Sequence, residues 1–206
     1  MINKTAIIVG AGDFTSRGLD IPRDMVIAAD AGLKKLLDCN IRPDVIIGDY
    51  DSLGYTPVGA EVITLPVEKD LTDLDAAMHL AWDRGCKDML LYGVTGGERI
   101  DHFLGNLQLG SEFSRLGANV KIVDQKCSIY FVTNDSIRLQ GQSGTIFSVL
   151  SMTSKSEGVS ILRDAKYRIY ETTLENRGTL GISNEITDRE IEISVKNGTI
   201  MIIIYE

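Results

Sequence analysis

The sequence predicts two domains of different fold class, an α/β domain over residues 1–126 and an all-β domain over residues 127–206. In the first stretch, short apolar runs typical of β-strands alternate with helical patterns, which indicates a mostly parallel, Rossmann-like sheet. In the second, short strand patterns follow one another with no long helical pattern between them. We therefore predict an α/β domain joined directly to a β-sandwich.

Six runs of branched and aromatic residues predict the strands of the first domain, at residues 6–9, 25–27, 45–47, 62–65, 89–92 and 120–123. One helix should begin at Thr72, a good N-cap with Asp75 three residues later, and an apolar stripe follows at helical spacing. Gly85 is placed to end this helix. A second helix is predicted over about residues 101–115, before Gly117.

The second domain carries strand patterns at residues 129–132, 137–139, 145–150, 159–162, 191–195 and 199–204. Asn197 and Gly198 separate the last two. Because both central residues of a type I′ turn need positive φ, Asn-Gly between two strands predicts a tight hairpin.

The bulk composition excludes several classes of function. A net charge of −8 argues against binding to nucleic acid or to an anionic membrane surface. No apolar run approaches the roughly 18 residues of a transmembrane helix, and Met1 leads into a strand without a signal peptide. The three cysteines are widely spaced and lack a C-x-x-C pair. These features predict a cytoplasmic protein with reduced cysteines.

Charged clusters directly follow four of the predicted strands. Ligands of open parallel sheets bind outside the carboxyl ends of the strands, so we expect these side chains to meet at one edge. They are Asp30, Asp49, Asp51, Asp70, Asp73, Arg99 and Asp101. Carboxylates gathered in this way repel one another unless a cation is present, and hard oxygen ligands suit Mg²⁺. The pattern indicates Mg²⁺-dependent phosphate chemistry.

Each cluster also has an ordinary structural explanation. In an extended segment Asp49 and Asp51 would point to the same side, toward one metal ion, but they also suit a turn. The helix start at Thr72 favours acidic residues through capping alone, although a helix N-terminus also binds phosphate. Arg99 and Asp101 suit a surface ion pair, and a lone His102 is more often structural. After the first strand, residues 10–12 (Gly-Ala-Gly) suggest a dinucleotide site, but a tight turn explains them equally well because the third glycine is missing.

Taken together, the motifs resemble the thiamine pyrophosphokinase family. The matching blocks are residues 48–53, 68–73, 99–102, 165–167 and 181–185, in the family's order along nearly the whole chain. Membership would imply an N-terminal α/β domain, a C-terminal β-sandwich and a homodimer with thiamine bound at the subunit interface. It would also imply Mg²⁺-dependent transfer of pyrophosphate from ATP to the hydroxyl of thiamine, giving thiamine diphosphate and AMP.

The resemblance assigns roles to individual residues. Mg²⁺ would be held by Asp49, Asp51, Asp70 and Asp73, which with Arg99 and Asp101 form the catalytic set. ATP would contact Asp30, Lys69, Thr72, Arg99 and His102, and thiamine would contact Tyr167, Ser183 and Asn184. The chain departs from bacterial members at Arg168, where proline is common, and at Ala165, which replaces a larger apolar residue.

Two other functions remain open from the residues alone. The same metal site would serve another acceptor alcohol or the hydrolysis of a nucleotide. The second is a non-catalytic sensor of thiamine or nucleotide. It is disfavoured because an enzyme that had lost its activity would be expected to have lost some of the acidic residues.

Overall fold

The computed structural model describes residues 3–48, 60–66 and 70–206, so the predicted site residues Asp49, Asp51 and Lys69 lie outside the described part. Contacts divide the chain into two compact units. The first comprises Met1–Leu109 and Val120–Gln125, and the second comprises Gly110–Asn119 and Lys126–Glu206. Three helices and thirteen strands lie in the described residues, so this is a mixed fold rich in sheet.

A parallel sheet organises the first unit. Along the chain, the elements up to residue 123 are β1 (Lys4–Val9), β2 (Met25–Ala29), α1 (Gly32–Asp38), β3 (Val45–Gly48), β4 (Glu61–Thr64), α2 (Asp73–Asp83), β5 (Cys86–Tyr92), α3 (Ile100–Leu116) and β6 (Asn119–Val123). The strand order is β4-β3-β2-β1-β5-β6. β1 pairs in parallel with β2 and β5, and β3 pairs in parallel with β2 and β4. The order therefore reverses between β1 and β5, which is a topological switch point.

The central strands of this sheet are buried on both faces. Residues 6–9 of β1 and all of β3 are buried, which is why they read as unbroken apolar runs rather than alternating patterns. A core cluster including Ile7, Val26 and Ile46 packs on the sheet with Leu33 and Leu36 of α1.

Both predicted helices are present. α2 begins after Thr72, whose Oγ1 accepts a hydrogen bond of 3.2 Å from the backbone N–H of Asp75, so the predicted cap is confirmed. α3 runs one residue beyond the predicted range at each end. α1 was not predicted.

Antiparallel strands make up most of the second unit. They are β7 (Cys127–Thr133), β8 (Ser136–Gln140), β9 (Ile146–Ser151), β10 (Lys155–Ala165), β11 (Ile169–Glu175), β12 (Asn184–Ser194) and β13 (Thr199–Tyr205). One set runs β7-β13-β9, and the other runs β11-β10-β12-β8. Asn184 and Glu185 of β12 also pair with β9. Both sets contribute to one apolar core cluster, which includes Phe147 and Ile202 from the first set and Ile161 and Ile193 from the second.

The predicted hairpin at Asn197 and Gly198 is wrong. β12 and β13 lie on opposite sides of β9. The turn residues bond to other segments instead: the Asn197 N–H and carbonyl pair with Glu157, and the Gly198 N–H donates to Asn134 Oδ1 at 2.8 Å. Gly198 still has a φ of 114°, so the sequence signal for a turn was genuine, although it gave the wrong partner strand.

In the described residues, no helix is both long enough and apolar enough to cross a membrane.

Candidate functional site

A cleft of about 330 Å³ opens at the carboxyl ends of β1, β2 and β5. This cleft lies in the first unit, at the topological switch point where open α/β sheets bind ligands. It is lined by Gly10, Ala11 and Gly12 after β1, Ala29 and Asp30 at β2, residues 71–74 at the start of α2, Gly93, Val94 and Gly96 after β5, and His102, Phe103 and Asn106 of α3.

Four predicted site residues line this cleft together: Asp30, Thr72, Asp73 and His102. Asp30 directly follows β2 and adopts a φ of 51°, with its N–H donating to the Ile47 carbonyl at 2.8 Å. A non-glycine residue at positive φ costs conformational energy, and such residues cluster at functional sites. Asp30 and Asp73, two of the residues predicted to meet at the strand ends, therefore line one cleft, together with Thr72 and His102 from the resemblance.

Arg99 and Asp101 pair with each other at the start of α3. Arg99 Nε donates to Asp101 Oδ1 at 2.9 Å, and the second guanidinium nitrogen donates to Oδ2 at 2.5 Å, which makes a forked, two-bond contact. The Arg99 hydrogen bonds lower the pKa of Asp101 from 3.8 to about 2. Both side chains are largely exposed, so this is the surface ion pair that the sequence allowed, with its charges available to a ligand.

The described residues do not test the predicted metal set as a whole. Asp70 is exposed just before α2, Asp73 lines the cleft, and Asp49 and Asp51 lie outside the described part of the chain. Among described residues, no three His, Cys, Asp or Glu side chains gather closely enough to hold a metal ion. The Mg²⁺ site at these four aspartates stays a prediction.

Two glycine-containing loops form the floor of the cleft. The Gly12 N–H donates to the Gly93 carbonyl at 2.6 Å, and the Asp13 N–H donates to the Thr95 carbonyl at 2.7 Å. A Cβ added to Gly12 would lie 2.4 Å from the Thr95 oxygen, so only glycine allows the loops to approach this closely. The sequence suggested a nucleotide-binding role for residues 10–12, with a tight turn as an equal explanation, whereas the glycines after β5 were not singled out.

Sequence reasoning also missed Asn106 and Lys35. Asn106 Nδ2 donates to the Val94 carbonyl at 2.7 Å and ties α3 to the loop after β5. Asn106 lies four residues after His102, about one helical turn, so the two share a face of α3. This spacing was the sequence signal that could have identified Asn106. Lys35 of α1 contacts the loop after β1, and nothing in its sequence context pointed to a site.

In the second unit, Tyr167, Ser183 and Asn184 lie close together. The buried Asn184 side chain holds the Tyr167 backbone at both ends: Nδ2 donates to the Tyr167 carbonyl at 2.7 Å, and Oδ1 accepts from the Tyr167 N–H at 3.0 Å. Oδ1 also accepts from the Glu185 N–H at 2.8 Å. The Tyr167 side chain remains exposed. Ser183, at a φ of 62°, donates its N–H to Ser148 Oγ at 3.0 Å.

The parallel sheet and the cleft at its switch point place this chain among α/β proteins that bind ligands beyond the carboxyl ends of their strands. The family model described as thiamin pyrophosphokinase, catalytic domain, matches residues 22–122, and the model described as thiamin pyrophosphokinase, vitamin B1 binding domain, matches residues 134–200. The chain belongs to the thiamine pyrophosphokinase family.

Individual relatives agree with this assignment. A thiamine pyrophosphokinase of Bacillus subtilis (strain 168) is 27% identical over 183 residues, which cover 86% of this chain and 85% of the relative. The crystal structure of thiamine pyrophosphokinase from Bacillus subtilis superposes with a TM-score of 0.87 at 26% identity and covers 98% of this chain and 99% of that one. The crystal structure of a thiamin pyrophosphokinase family protein from Enterococcus faecalis gives a TM-score of 0.80 at 25% identity. The superposition covers 98% of this chain and 99% of that one.

Proposed function

We propose that this chain is an ATP-dependent diphosphotransferase that moves the terminal pyrophosphate of ATP to the hydroxyl of thiamine. Thiamine diphosphate and AMP are the products. The single observation that carries the proposal is the cleft at the switch point, where Asp30, Thr72, Asp73 and His102 converge within the region matched by the catalytic-domain model.

The proposed architecture assigns one task to each domain. Residues 1–126 form a Rossmann-like α/β domain for ATP and Mg²⁺, and residues 127–206 form a β-sandwich domain for thiamine. The strand order β4-β3-β2-β1-β5-β6 and the core shared by the two antiparallel sets support this division.

In the reaction, the thiamine hydroxyl oxygen bonds to the β-phosphorus while the bond from that phosphorus to the α,β-bridging oxygen breaks. The bridging oxygen leaves with AMP, and a cleft carboxylate accepts the hydroxyl proton. Such a transfer depends on positioning and on charge neutralisation more than on covalent help from the protein. The cleft supplies backbone groups, carboxylates and an imidazole for this purpose.

Carboxylates at the cleft suit Mg²⁺, a hard cation that prefers oxygen ligands. Asp73 lines the cleft, Asp70 lies three residues before it, and Asp49 and Asp51 complete the proposed ligand set. When bound there, Mg²⁺ supplies neutralisation of phosphate charge. Within the chain itself, the N-terminus of α2 adds the positive end of an eleven-residue helix, which favours phosphate oxygens.

The remaining polar residues complete the proposed ATP site. Arg99 presents a planar guanidinium that binds phosphate oxygens with two hydrogen bonds, and Asp101 orients it through the forked contact. Lys69 and His102 contribute further donors to the phosphates.

Tyr167 is the proposed stacking surface for thiamine. Its exposed ring is able to pack on the flat, partly cationic rings of the substrate. Ser183 lies beside it, and the buried Asn184 fixes the backbone that carries it. Ala165 and Arg168, where the chain departs from bacterial members of the family, lie within three residues of Tyr167 along the chain.

The proposed working form is a cytoplasmic homodimer with its active sites at the subunit interface. A two-fold axis is able to pair the first domain of one subunit with the second domain of its partner. Tyr170, Leu180 and Ile182 of the second unit are exposed and supply apolar surface for such an interface.

The test is to incubate the protein with ATP, Mg²⁺ and thiamine and to measure AMP and thiamine diphosphate. Both products should appear in equal amounts and only with thiamine present, and a chelator should abolish them. Release of phosphate or pyrophosphate without thiamine would instead indicate a nucleotide hydrolase. Binding of both substrates without turnover would indicate a sensor.

A further inference from the structure

Lys35 reaches from α1 to the loop that follows β1. Its ammonium donates to the carbonyl of Gly10 at 3.0 Å and also to the carbonyl of Gly12, and it lies 6.0 Å from the centre of the Phe14 ring. Burial lowers the pKa of Lys35, while the carboxylates of Asp13 and Asp30 raise it. Burying an ammonium is costly, so its hydrogen bonds must offset that cost.

The peptide that joins Gly10 to Ala11 depends on this contact. Neighbouring peptides of the loop are held by the loop after β5, through the N–H groups of Gly12 and Asp13. Within the described part of the chain, the Gly10–Ala11 peptide has only the bond from Lys35 to its carbonyl, and the Ala11 N–H has no partner.

Peptide geometry then fixes the direction of that N–H. In a trans peptide, the carbonyl and the N–H point to opposite sides, and the described residues contain no cis peptide. Because the Gly10 carbonyl points at Lys35, the Ala11 N–H points away from it. Ala11 lines the cleft, whereas Lys35 does not.

We propose that Lys35 is a positioning residue, which holds the Gly10–Ala11 peptide so that the Ala11 N–H donates a hydrogen bond to a phosphate oxygen of ATP. The proposal rests on the proposed use of ATP in this cleft. A backbone N–H that is already oriented before the ligand arrives binds an anionic oxygen without the free-energy cost of reorienting the peptide. Lys35 is therefore part of the nucleotide site although it does not touch the nucleotide.

The first experiment titrates ATP with Mg²⁺ into the protein by calorimetry, without thiamine, and compares three variants. Lys35→Met keeps the aliphatic stem but removes the donor, and it should raise the Kd and the KM for ATP roughly tenfold, the loss expected for one hydrogen bond to a charged group. The thiamine KM should not change. Lys34→Met, an exposed lysine of the same helix, is the matched control and should bind as wild type. Lys35→Arg should recover most of the affinity.

A second variant tests the N–H itself. Ala11→Pro removes this donor and should weaken ATP binding by a similar factor. If Lys35 acts through this N–H, adding Lys35→Met to Ala11→Pro should cause little further loss, because the two changes remove the same interaction.

Three results would overturn the role of Lys35. One is wild-type ATP affinity in Lys35→Met, the second is equal loss of ATP and thiamine affinity together with a lower Tm, and the third is full additivity in the double variant. Failure of the proposed function looks different: wild type would bind ATP but form no thiamine diphosphate, and the titrations would still decide whether Lys35 positions the peptide.

Discussion

Arg99 carries a planar guanidinium group with several N–H donors and lies exposed at the start of α3. Lysine keeps the charge at this position but offers no planar pair of donors, so Arg99→Lys should raise the KM for ATP roughly tenfold while changing the KM for thiamine little. Steady-state kinetics with each substrate varied in turn checks this expectation. A rise in the thiamine KM alone would indicate that Arg99 contacts thiamine rather than ATP.

The pH dependence of the rise in ATP KM in Arg99→Lys follows from the ionisation of Asp101. The pKa of Asp101 is about 2, below the usual 3.8. Its carboxylate is therefore charged and paired with Arg99 at any pH above about 3.8, and the pair is lost only as the pH falls through about 2. From about pH 6 to about pH 9 both charges persist. The factor by which Arg99→Lys raises the ATP KM should therefore be constant over this range.

At the scale of single residues, the sequence predicted the acidic and polar members of the site. Asp30 and Asp73 were predicted because carboxylates suit metal and phosphate chemistry and strand ends meet at one edge, whereas Thr72 and His102 were assigned to the site only by the family resemblance. Lys35 was missed because its role depends on a peptide orientation that only the three-dimensional contact reveals.

At the scale of elements, the junction of β12 with the segment before β11 depends on one buried amide. Asn184→Ala removes three hydrogen bonds and leaves the Tyr167 backbone groups unpaired, so it should lower the free energy of unfolding by about 1–3 kcal/mol. The thiamine KM should rise more than the ATP KM, because the displaced Tyr167 belongs to the thiamine site.

Denaturant unfolding and steady-state kinetics measure these two effects. Asn176→Ala, at an exposed asparagine of the same unit, is the control and should leave both quantities unchanged. An Asn184→Ala protein that loses stability but keeps its thiamine KM would show that Asn184 supports the fold without positioning Tyr167.

The elements that the sequence predicted are those with strong local signals. α2 carries a cap, an apolar stripe and a terminal glycine, and it begins where these predict. α1 was missed because seven residues make two turns, too few for a periodic pattern. β11 was missed because it is an edge strand whose residues are mostly polar.

At the scale of the whole molecule, the proposed shared site predicts complementation between two inactive proteins. Asp73→Asn should lower kcat by on the order of 10² or more through lost phosphate neutralisation, and Tyr167→Ala should impair thiamine stacking. After subunit exchange, about half of the dimers should be mixed, and each mixed dimer should contain one intact site. Activity should then recover to about a quarter of the wild-type value.

The control mixes Asp73→Asn with Asp70→Asn, which removes a second proposed Mg²⁺ ligand and should also be inactive. Both changes lie in the first unit, so each site of a mixed dimer keeps one defect and activity should not return. Sedimentation or light scattering must show a dimer for the experiment to apply. A fully active monomer, or no recovery from the Asp73→Asn and Tyr167→Ala mixture, would mean that each chain has a complete site of its own.

β13 is a central strand of the second unit, with β7 on one side and β9 on the other. Its partners lie far back in the sequence, so this unit has a high contact order, and folds of that kind form in milliseconds to seconds rather than microseconds. On the ribosome, β7 and β9 emerge well before β13 and expose unpaired strand edges in the meantime. The nascent chain is therefore most exposed to aggregation, and most in need of a chaperone, in the interval before its last strand is available.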